Sequence, residues 1–216
     1  HTIYLELQKN IGRSAIRNSF LKYAKFENLL FLDCDTRIQN NNFISNYLID
    51  NADVICGGRI YSQKPNERKY LLRWKYGINR ECKLADQRIL EPYHSFMTNN
   101  FIVKHAVFRR TQFDERLKGY GHEDSLFGYH LMKNNFLIKH IDNQTIHDFS
   151  ENSDEFLEKT QQGIENLLFI HQRLIPNGEF AEINKLLATF EKIKRIRSLL
   201  SFLSYLLLPF LRYFLE

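Results

Sequence analysis

Apolar positions along the chain follow two rhythms. Residues 11–24, IGRSAIRNSFLKYA, put Ile16, Phe20 and Tyr23 or Ala24 on one side of a helix and the arginines elsewhere, which predicts an amphipathic helix. In NLLFLDCDT the rhythm changes. Residues 29–32 are a continuous apolar run of strand length, predicting a strand covered on both faces, as in a parallel α/β sheet, with a buried helical turn as the alternative. NNFISNYLIDN predicts a further short helix, and DVICGG a strand stopped by Gly57 and Gly58. Residues 59–92 are polar, basic and poorly periodic, carry the single tryptophan, Trp74, and predict a long excursion over the functional face with some helix in it. NNFIVKHAVF, FLIKHID and NQTIHDF predict strands or strand entries flanking KGYGHEDSLFGYHL, residues 118–131. Such alternation of helix and strand predicts an α/β fold.

Beyond residue 150 the pattern is helical. SDEFLEKTQQGIENLLFIHQRL and GEFAEINKLLATFEKIKRI are separated by the breaker IPNG, and Phe180, Ile183, Leu187 and Phe190 line one stripe of the second. The closing RSLLSFLSYLLLPFLRYFLE is strongly apolar, but only residues 198–211, interrupted by serines and Pro209, separate Arg197 from Arg212. A spanning helix needs about 20 apolar residues. Next to the basic KIKRIR cluster, this stretch predicts an element lying at a membrane surface, with a protein contact as the alternative. The expected organisation is an α/β domain over residues 1–150, a C-terminal helical extension over 151–195 and an apolar, membrane-interfacial segment over 196–216.

With 44% hydrophobic and 25% charged residues, the 216-residue chain is globular rather than disordered. Its net charge of +5 suits phosphate or anionic lipid as well as nucleic acid. No basic stripe interleaved with aromatics and no glycine-rich phosphate loop is present, so nucleic acid is not an expected partner. Cys34, Cys56 and Cys82 form no CxxC pattern and leave an odd thiol, which fits a reducing, cytosolic setting. HTIYLELQKN lacks the features of a signal peptide and opens on His1, so the sequence is expected to begin partway through something longer.

Three places could carry chemistry. Asp33-Cys34-Asp35 ends a predicted strand, where ligands of open α/β sheets bind, and such a pair can hold a hard cation bridging to phosphate oxygens. An isolated Asp-x-Asp also reads as a turn and a cap; strand alternation turns Cys34 away from its neighbours and predicts that it packs in the core. His147 reads either as a structural histidine or as a partner for carboxylates around a first-row metal, and the remaining histidines form no close pair that would suggest zinc. Glu123 and Asp124 sit between a glycine corner and a helix start, with Phe127 and Leu131 at helical spacing. There, Asp124 is either a helix cap beside a solvated Glu123, or the two form a carboxylate pair held at a pocket edge.

Taken in order, the Asp-x-Asp strand, TNNF, GYGHEDSLFGYHL and the strand ending in His147 resemble a family 2 glycosyltransferase of the GT-A fold. The closest likeness is to members with the galactosyltransferase-type motif Gly-(Trp/Tyr)-Gly-x-Glu-Asp. NIGRSAIRNSFLKYA also resembles the family's Gly-x-x-x-Ala-Arg-Asn segment, with Ile16 where alanine is usual, and the likeness covers about residues 10–148. It implies a GT-A-like (Rossmann-like) mixed sheet flanked by helices and an inverting hexosyltransferase. A hexose or N-acetylhexosamine would pass from a UDP-sugar to a glycan or lipid-linked glycan acceptor. By the same resemblance Asp35 and His147 would bind Mn2+ or Mg2+, and Asp33 would lie near the ribose or donor sugar. Asn99, Asn100, Gly119, Tyr120 and Gly121 would shape the pocket; Asp124 would be the base and Glu123 a hydroxyl-binding partner, the reverse assignment of these two remaining open.

The opening strand and uracil-gripping acidic residues of such domains do not precede His1, so the 216 residues alone are expected to be poorly active and marginally folded. Family and tail together imply a cytoplasmic protein at the inner face of the cell membrane, acting in bacterial surface polysaccharide synthesis. The competing reading is a non-catalytic peripheral membrane or scaffold protein derived from the same fold.

Overall fold

The computed structural model describes residues 2–148, 151–196, 198, 201–205 and 207. After an irregular start, α1 (Arg13–Ser19) runs into a 3-10 turn, and β1 (Asn28–Leu32) leads through the turn at residues 33–35 into β2 (Thr36–Arg37). There follow α2 (Phe43–Tyr47), β3 (Val54–Cys56), β4 (Arg59–Tyr61), α3 (Leu71–Arg80) and α4 (Ala85–Arg88). Next come β5 (Asn100–Lys104), α5 (His105–Thr111), α6 (Glu123–Lys133), β6 (Ile138–His140) and β7 (Thr145–His147). The helices α7 (Ser153–Phe169) and α8 (Lys185–Ile193) follow, with short 3-10 or π turns at Ile170–Leu174, Glu179–Glu182 and Lys194–Ile196. The fold is α/β, with mixed sheets flanked by helices.

The strands form a four-stranded sheet in the order β1-β5-β3-β6 and a three-stranded one in the order β2-β7-β4. Only β3–β6 and β4–β7 are parallel; β5 is antiparallel to both of its neighbours. This corrects the expectation for NLLFL. β1 pairs with β5 alone among the described strands, and of its residues only Phe31 is fully buried, with Leu32 38% exposed. A continuous apolar run is the mark of a covered strand in either orientation, and the pairing direction is set by topology rather than by that run. Two further boundaries differ. His105–Thr111 is helical rather than a continuation of its strand, and the second C-terminal helix is split at Asn184, whose side chain accepts a hydrogen bond from Leu187 N–H. The predicted stripe survives that split, since Phe180, Ile183 and Leu187 are buried and Phe190 packs against them.

An aromatic core lies between the four-stranded sheet and α6. Phe31 of β1 stacks on Phe101 of β5 at 4.9 Å between ring centroids, and Phe127 of α6 stacks on Phe113 at 4.3 Å. Phe96 and Phe108 complete the cluster, so β1 and α6 are locked to each other through rings that adopt offset or tilted contacts. The other side of α6, through Leu126 and Tyr129, joins a second core with Leu167, Ile170, Phe180 and Leu187, so the C-terminal helices pack onto α6 rather than standing apart. No helix among the described residues is long and apolar enough to cross a membrane. Most of the expected interfacial segment at 196–216 lies outside the described residues; of those described, Phe202, Leu203, Tyr205 and Leu207 are exposed.

At the carboxyl ends of β3 and β6 the buried Arg88, 1% exposed, donates to the carbonyls of Lys83, Cys56, Gly57 and Ile141 and contacts His140 Nδ1 at 3.0 Å. Burial pushes the His140 imidazole down to about 4, which keeps it neutral beside this cation. The Cys56, Gly57 and Ile141 carbonyls also accept backbone N–H groups, so replacing Arg88 removes one of two donors from each and takes the partner from Lys83 O and His140 Nδ1, besides emptying a fully buried site. Arg88→Ala is expected to lower stability by about 3 kcal/mol through the lost packing and hydrogen bonds; a change under about 1 kcal/mol in urea denaturation would show that water fills the site at little cost.

Candidate functional site

Two carboxylate groups meet at one end of the sheets. The first is the turn after β1. Its shape comes from Thr36, whose hydroxyl donates to Asp33 O at 2.7 Å, and from the β2–β7 ladder, in which Thr36 stands opposite His147. Asp148 N–H donates to Asp35 O at 3.1 Å. These backbone bonds bring residues more than a hundred positions apart side by side, and His147 Nδ1 lies 3.4 Å from Asp35 Oδ1. That distance permits charge attraction without the alignment of a hydrogen bond, and the buried Nδ1 has no hydrogen-bond partner. The neighbouring imidazole, aided by Arg59, holds the Asp35 carboxyl below the usual carboxylate range despite its partial burial.

The second group is the corner before α6. Gly119, Gly121 and His122 all have positive φ, +70°, +97° and +66°. At Gly121 the conformation is reinforced by crowding, because a Cβ there would stand 3.0 Å from Gly163 Cα of α7. α7 clamps the same corner by polar contacts: Asn166 Nδ2 donates to the carbonyls of Tyr120 (3.2 Å) and Gly121 (3.0 Å), and Tyr120 N–H donates to Gln162 Oε1 (3.2 Å). Helical spacing then does the aiming. Phe127 and Leu131 face the aromatic core, and Glu123, one turn earlier on the same face, is buried at its rim.

Arg17 joins the two groups. Its guanidinium lies 3.3 Å from Glu123 Oε1 and 3.5 Å from Asp33 Oδ1, over the Phe113 ring. Arg13, one helical turn earlier, reaches the same Glu123 oxygen at 3.4 Å and covers the Tyr120 ring. Arg59 approaches the other Asp33 oxygen at 3.7 Å and is itself held by Glu81 at 2.9 Å. Burial pushes the Glu81 carboxyl up, but Arg59 and Arg73 outweigh it and leave the group below its usual range. Asp33 thus stands between Arg59 and Arg17, and Glu123 between Arg17 and Arg13, with Arg17 common to both.

Asp124 differs from its neighbour. No ion pair reaches it among the described residues; its Oδ1 accepts from Ser125 N–H at 2.7 Å. Burial, then the adjacent Glu123 charge, raises its proton affinity to about 6, with Arg17 and Arg13 acting in the opposite sense. A carboxyl tuned in that direction is suited to taking a proton near neutral pH.

Several buried polar atoms around the turn lack partners: both side-chain atoms of Asn99, Arg59 Nε and His147 Nδ1. Asn99 is 1% exposed and its carbonyl accepts from Asp33 N–H at 3.0 Å. Unpaired buried polar atoms are rare, and the four near this turn, out of eight among the described residues, have hydrogen-bonding capacity that a polar ligand or ion could use. An orphaned imidazole nitrogen beside a carboxylate fits a divalent ion, with manganese favoured over magnesium by the nitrogen donor. No cluster of three or more His, Cys, Asp or Glu side chains suited to a metal occurs among the described residues, so the remaining coordination would fall to the ligand and water.

One sequence expectation changes here. Cys34 is exposed rather than packed in the core, because β1 ends at Leu32 and strand alternation does not extend into the turn. Asn100 is committed to the fold: it donates to Gly58 O and Asn143 O at 3.0 and 2.8 Å and accepts from Tyr47 Oη, with 1% exposure. Beside the corner a cleft of about 1300 Å³ opens between the start of α1 and α7, lined by Arg13, Lys118, Gly119, Tyr120 and Gln162 among others.

Among solved structures, the chain is similar to residues 1–349 of S. aureus TarS, with a TM-score of 0.42 and 21% identity over 80% of this chain and 55% of that one. It is also similar to glucosyl-3-phosphoglycerate synthase from Mycobacterium tuberculosis, in complex with Mn2+, UDP-glucose and glycerol 3-phosphate. There the TM-score is 0.45, with 15% identity over 73% of this chain and 54% of that one. The chain thus spans about half the length of either protein. No protein-family model and no curated protein matches it.

Arg13, Arg59, Arg73 and Glu81 escaped the sequence reading. Arg13 and Arg17 were discoverable as an i, i+4 pair on one helix face, and Arg17 lies in the Gly-x-x-x-Ala-Arg-Asn likeness; Arg59 had no signal, standing at the head of an aperiodic stretch.

The raised proton affinity of Asp124 has a stability consequence. Because the folded value lies above the unfolded one, the favourable contribution is fully present below about pH 4 and is lost as pH rises through about 6. Asp124→Asn keeps an acceptor for Ser125 N–H and is expected to raise Tm at pH 7.5 by about 2–4 °C per kcal/mol of relieved strain, with no gain at pH 4. Thermal melts at the two pH values check this, and equal gains at both would contradict it.

Proposed function

We propose that the chain is an inverting, metal-dependent glycosyltransferase of the GT-A kind, moving a hexose or N-acetylhexosamine from a UDP-sugar to a glycan acceptor. The observation that carries the proposal is the joining of two distinct carboxylate groups by one buried guanidinium: Asp33 on the turn that also bears Asp35, and Glu123 beside the base-like Asp124. Caps alone need no such bridge, and α6 begins without a side-chain cap hydrogen bond.

In this reading Asp35 and His147 hold the cation, with Asp33 facing hydroxyls of the ribose or donor sugar. The bound cation supplies Lewis-acid neutralisation of the departing diphosphate. Asp124 accepts the proton of the acceptor hydroxyl while that oxygen bonds to the anomeric carbon and the bond to the diphosphate oxygen breaks, its electron pair leaving with the diphosphate. Glu123, immobilised by Arg13 and Arg17, is placed to accept hydrogen bonds from sugar hydroxyls. The cleft lined by Gly119 and Tyr120 adjoins this edge in sequence and is the route assigned to the acceptor in this reading. Donor class and a role in surface polysaccharide synthesis rest on the motif resemblance. A cytoplasmic membrane-face location rests on the sequence pattern alone, a basic cluster including Lys192, Lys194 and Arg195 followed by an apolar stretch.

The reading is tested with a panel of UDP-sugars and Mn2+. UDP binding by the wild type is expected to tighten at least tenfold with Mn2+, and Asp35→Ala and His147→Ala to abolish the tightening with little change in Tm. Asp124→Asn is expected to bind UDP normally and lose transfer by about 10²–10⁴-fold. Absence of transfer by the wild type across the panel would leave the scaffold reading, and unchanged transfer in Asp35→Ala and Asp124→Asn would show that these carboxylates do not carry the reaction.

A further inference from the structure

Glu123 and Asp124 are adjacent in sequence, and a mechanism needs only one of them as base. We propose that Arg17 is a positioning residue for the transfer step, fixing the acceptor-side carboxylates relative to the donor-side turn and occupying Glu123 so that Asp124 takes the proton. The inference rests on the transferase reading and deepens it by assigning a task to a residue outside both carboxylate groups.

The geometry is that of a fork shared between two elements. One terminal nitrogen of Arg17 faces Glu123 Oε1 at 3.3 Å and the other faces Asp33 Oδ1 at 3.5 Å, in a side chain 10% exposed. An ammonium is a point charge and cannot span both carboxylates with directed donors as a guanidinium does. The guanidinium is also backed by structure. It lies over Phe113, 5.3 Å from the ring centroid. The main chain of Phe113 is fixed by the next residue of α1: Asn18 Nδ2 donates to Phe113 O, and Phe113 N–H donates to Asn18 Oδ1, both at 2.9 Å. Phe113 in turn stacks on Phe127 of α6. Arg17, the ring beneath it and the helix bearing Glu123 therefore form one packed unit.

The contacts lie at the long end of the hydrogen-bond range, so either carboxylate can take up a sugar hydroxyl without a tight pair being broken. Asp124 lies outside the fork. The charged and titratable groups that face it are Glu123 on its own helix, Arg13 and Arg17 from α1, Tyr120 from the corner and Tyr76 from α3. Of these, Arg17 is the cation that touches both carboxylate groups.

The test compares the full wild-type chain with Arg17→Met and Arg17→Lys. It measures kcat against pH at saturating UDP-sugar and acceptor, and the Asp124 titration by 13C NMR of carboxyl-labelled protein. Arg17→Met is expected to lower kcat about 100-fold at pH 7.5, and to move the acid limb and the Asp124 midpoint up by about one pH unit as a facing positive charge is removed. Arg17→Lys is expected to keep the acid limb in place while kcat stays about tenfold down, the charge being restored and the fork not.

A loss of kcat in Arg17→Met with the acid limb and midpoint unmoved would reduce Arg17 to a structural prop. Wild-type kcat in either variant would overturn the proposal, and Arg17→Lys alone decides should Arg17→Met fail to fold. If the wild type transfers no sugar, the transferase reading fails; the NMR midpoint then still decides whether Arg17 governs Asp124, an upward shift in Arg17→Met supporting it and an unchanged midpoint refuting it.

Discussion

The structure depends on the aromatic contact between β1 and α6. Phe31 and Phe101 stack across the β1–β5 pair, Phe127 meets Phe96, Phe108 and Phe113 from the helix, and these rings are buried together. Both candidate carboxylate groups hang from this core by short covalent tethers: Asp33 is two residues beyond Phe31, and Glu123 is one helical turn before Phe127. A close-packed core of large rings tolerates little displacement, so the spacing of the acidic groups follows from apolar packing. Polar bridges such as Arg17 then refine a distance already set.

Around that core the polar groups are arranged by charge alternation. Arg59, Asp33, Arg17, Glu123 and Arg13 form a chain in which each carboxylate meets two guanidiniums. Half-buried acids without such partners would shift toward neutrality, as Asp124 does. Of these two neighbouring acidic residues, the arginines form ion pairs with Glu123 and, among the described residues, none with Asp124. That is a tertiary decision imposed on a local pair, and it gives the pair two chemical characters.

The second support comes from the C-terminal helices. Asn166 and Gln162 hold the backbone of residues 120–121, and Gly163 lets Gly121 approach closely. An elongated corner of positive-φ residues has a high conformational entropy when free; bound to α7, it presents Glu123 and Asp124 in a fixed orientation. The helical extension is thus part of the site's scaffolding, through α7 directly and through the shared core of Leu126, Tyr129, Leu167 and Phe180.

By itself the sequence determined the local elements and the chemical inventory. The helical character of α1 and α7, the apolar run of β1, the buried stripe at Phe180, Ile183 and Leu187, and the helix start at Glu123 were legible because each is a property of neighbouring residues, whereas the buried face of α1 was not: Phe20 and Tyr23, expected on its apolar side, are exposed, and Arg17 and Asn18 are buried. Motif order also drew attention to Asp33, Asp35, Glu123, Asp124 and His147. Only the tertiary structure decided that β1 pairs antiparallel at a sheet edge, that Cys34 faces solvent and that Asn100 is committed to the fold. It alone brought Arg59 to Asp33 and Arg17 to Glu123, since those contacts join segments 26 and 106 positions apart. Periodicity reports which face of an element is apolar; it carries no record of which distant guanidinium will meet a given carboxylate, because that pairing is fixed by packing of the elements against one another.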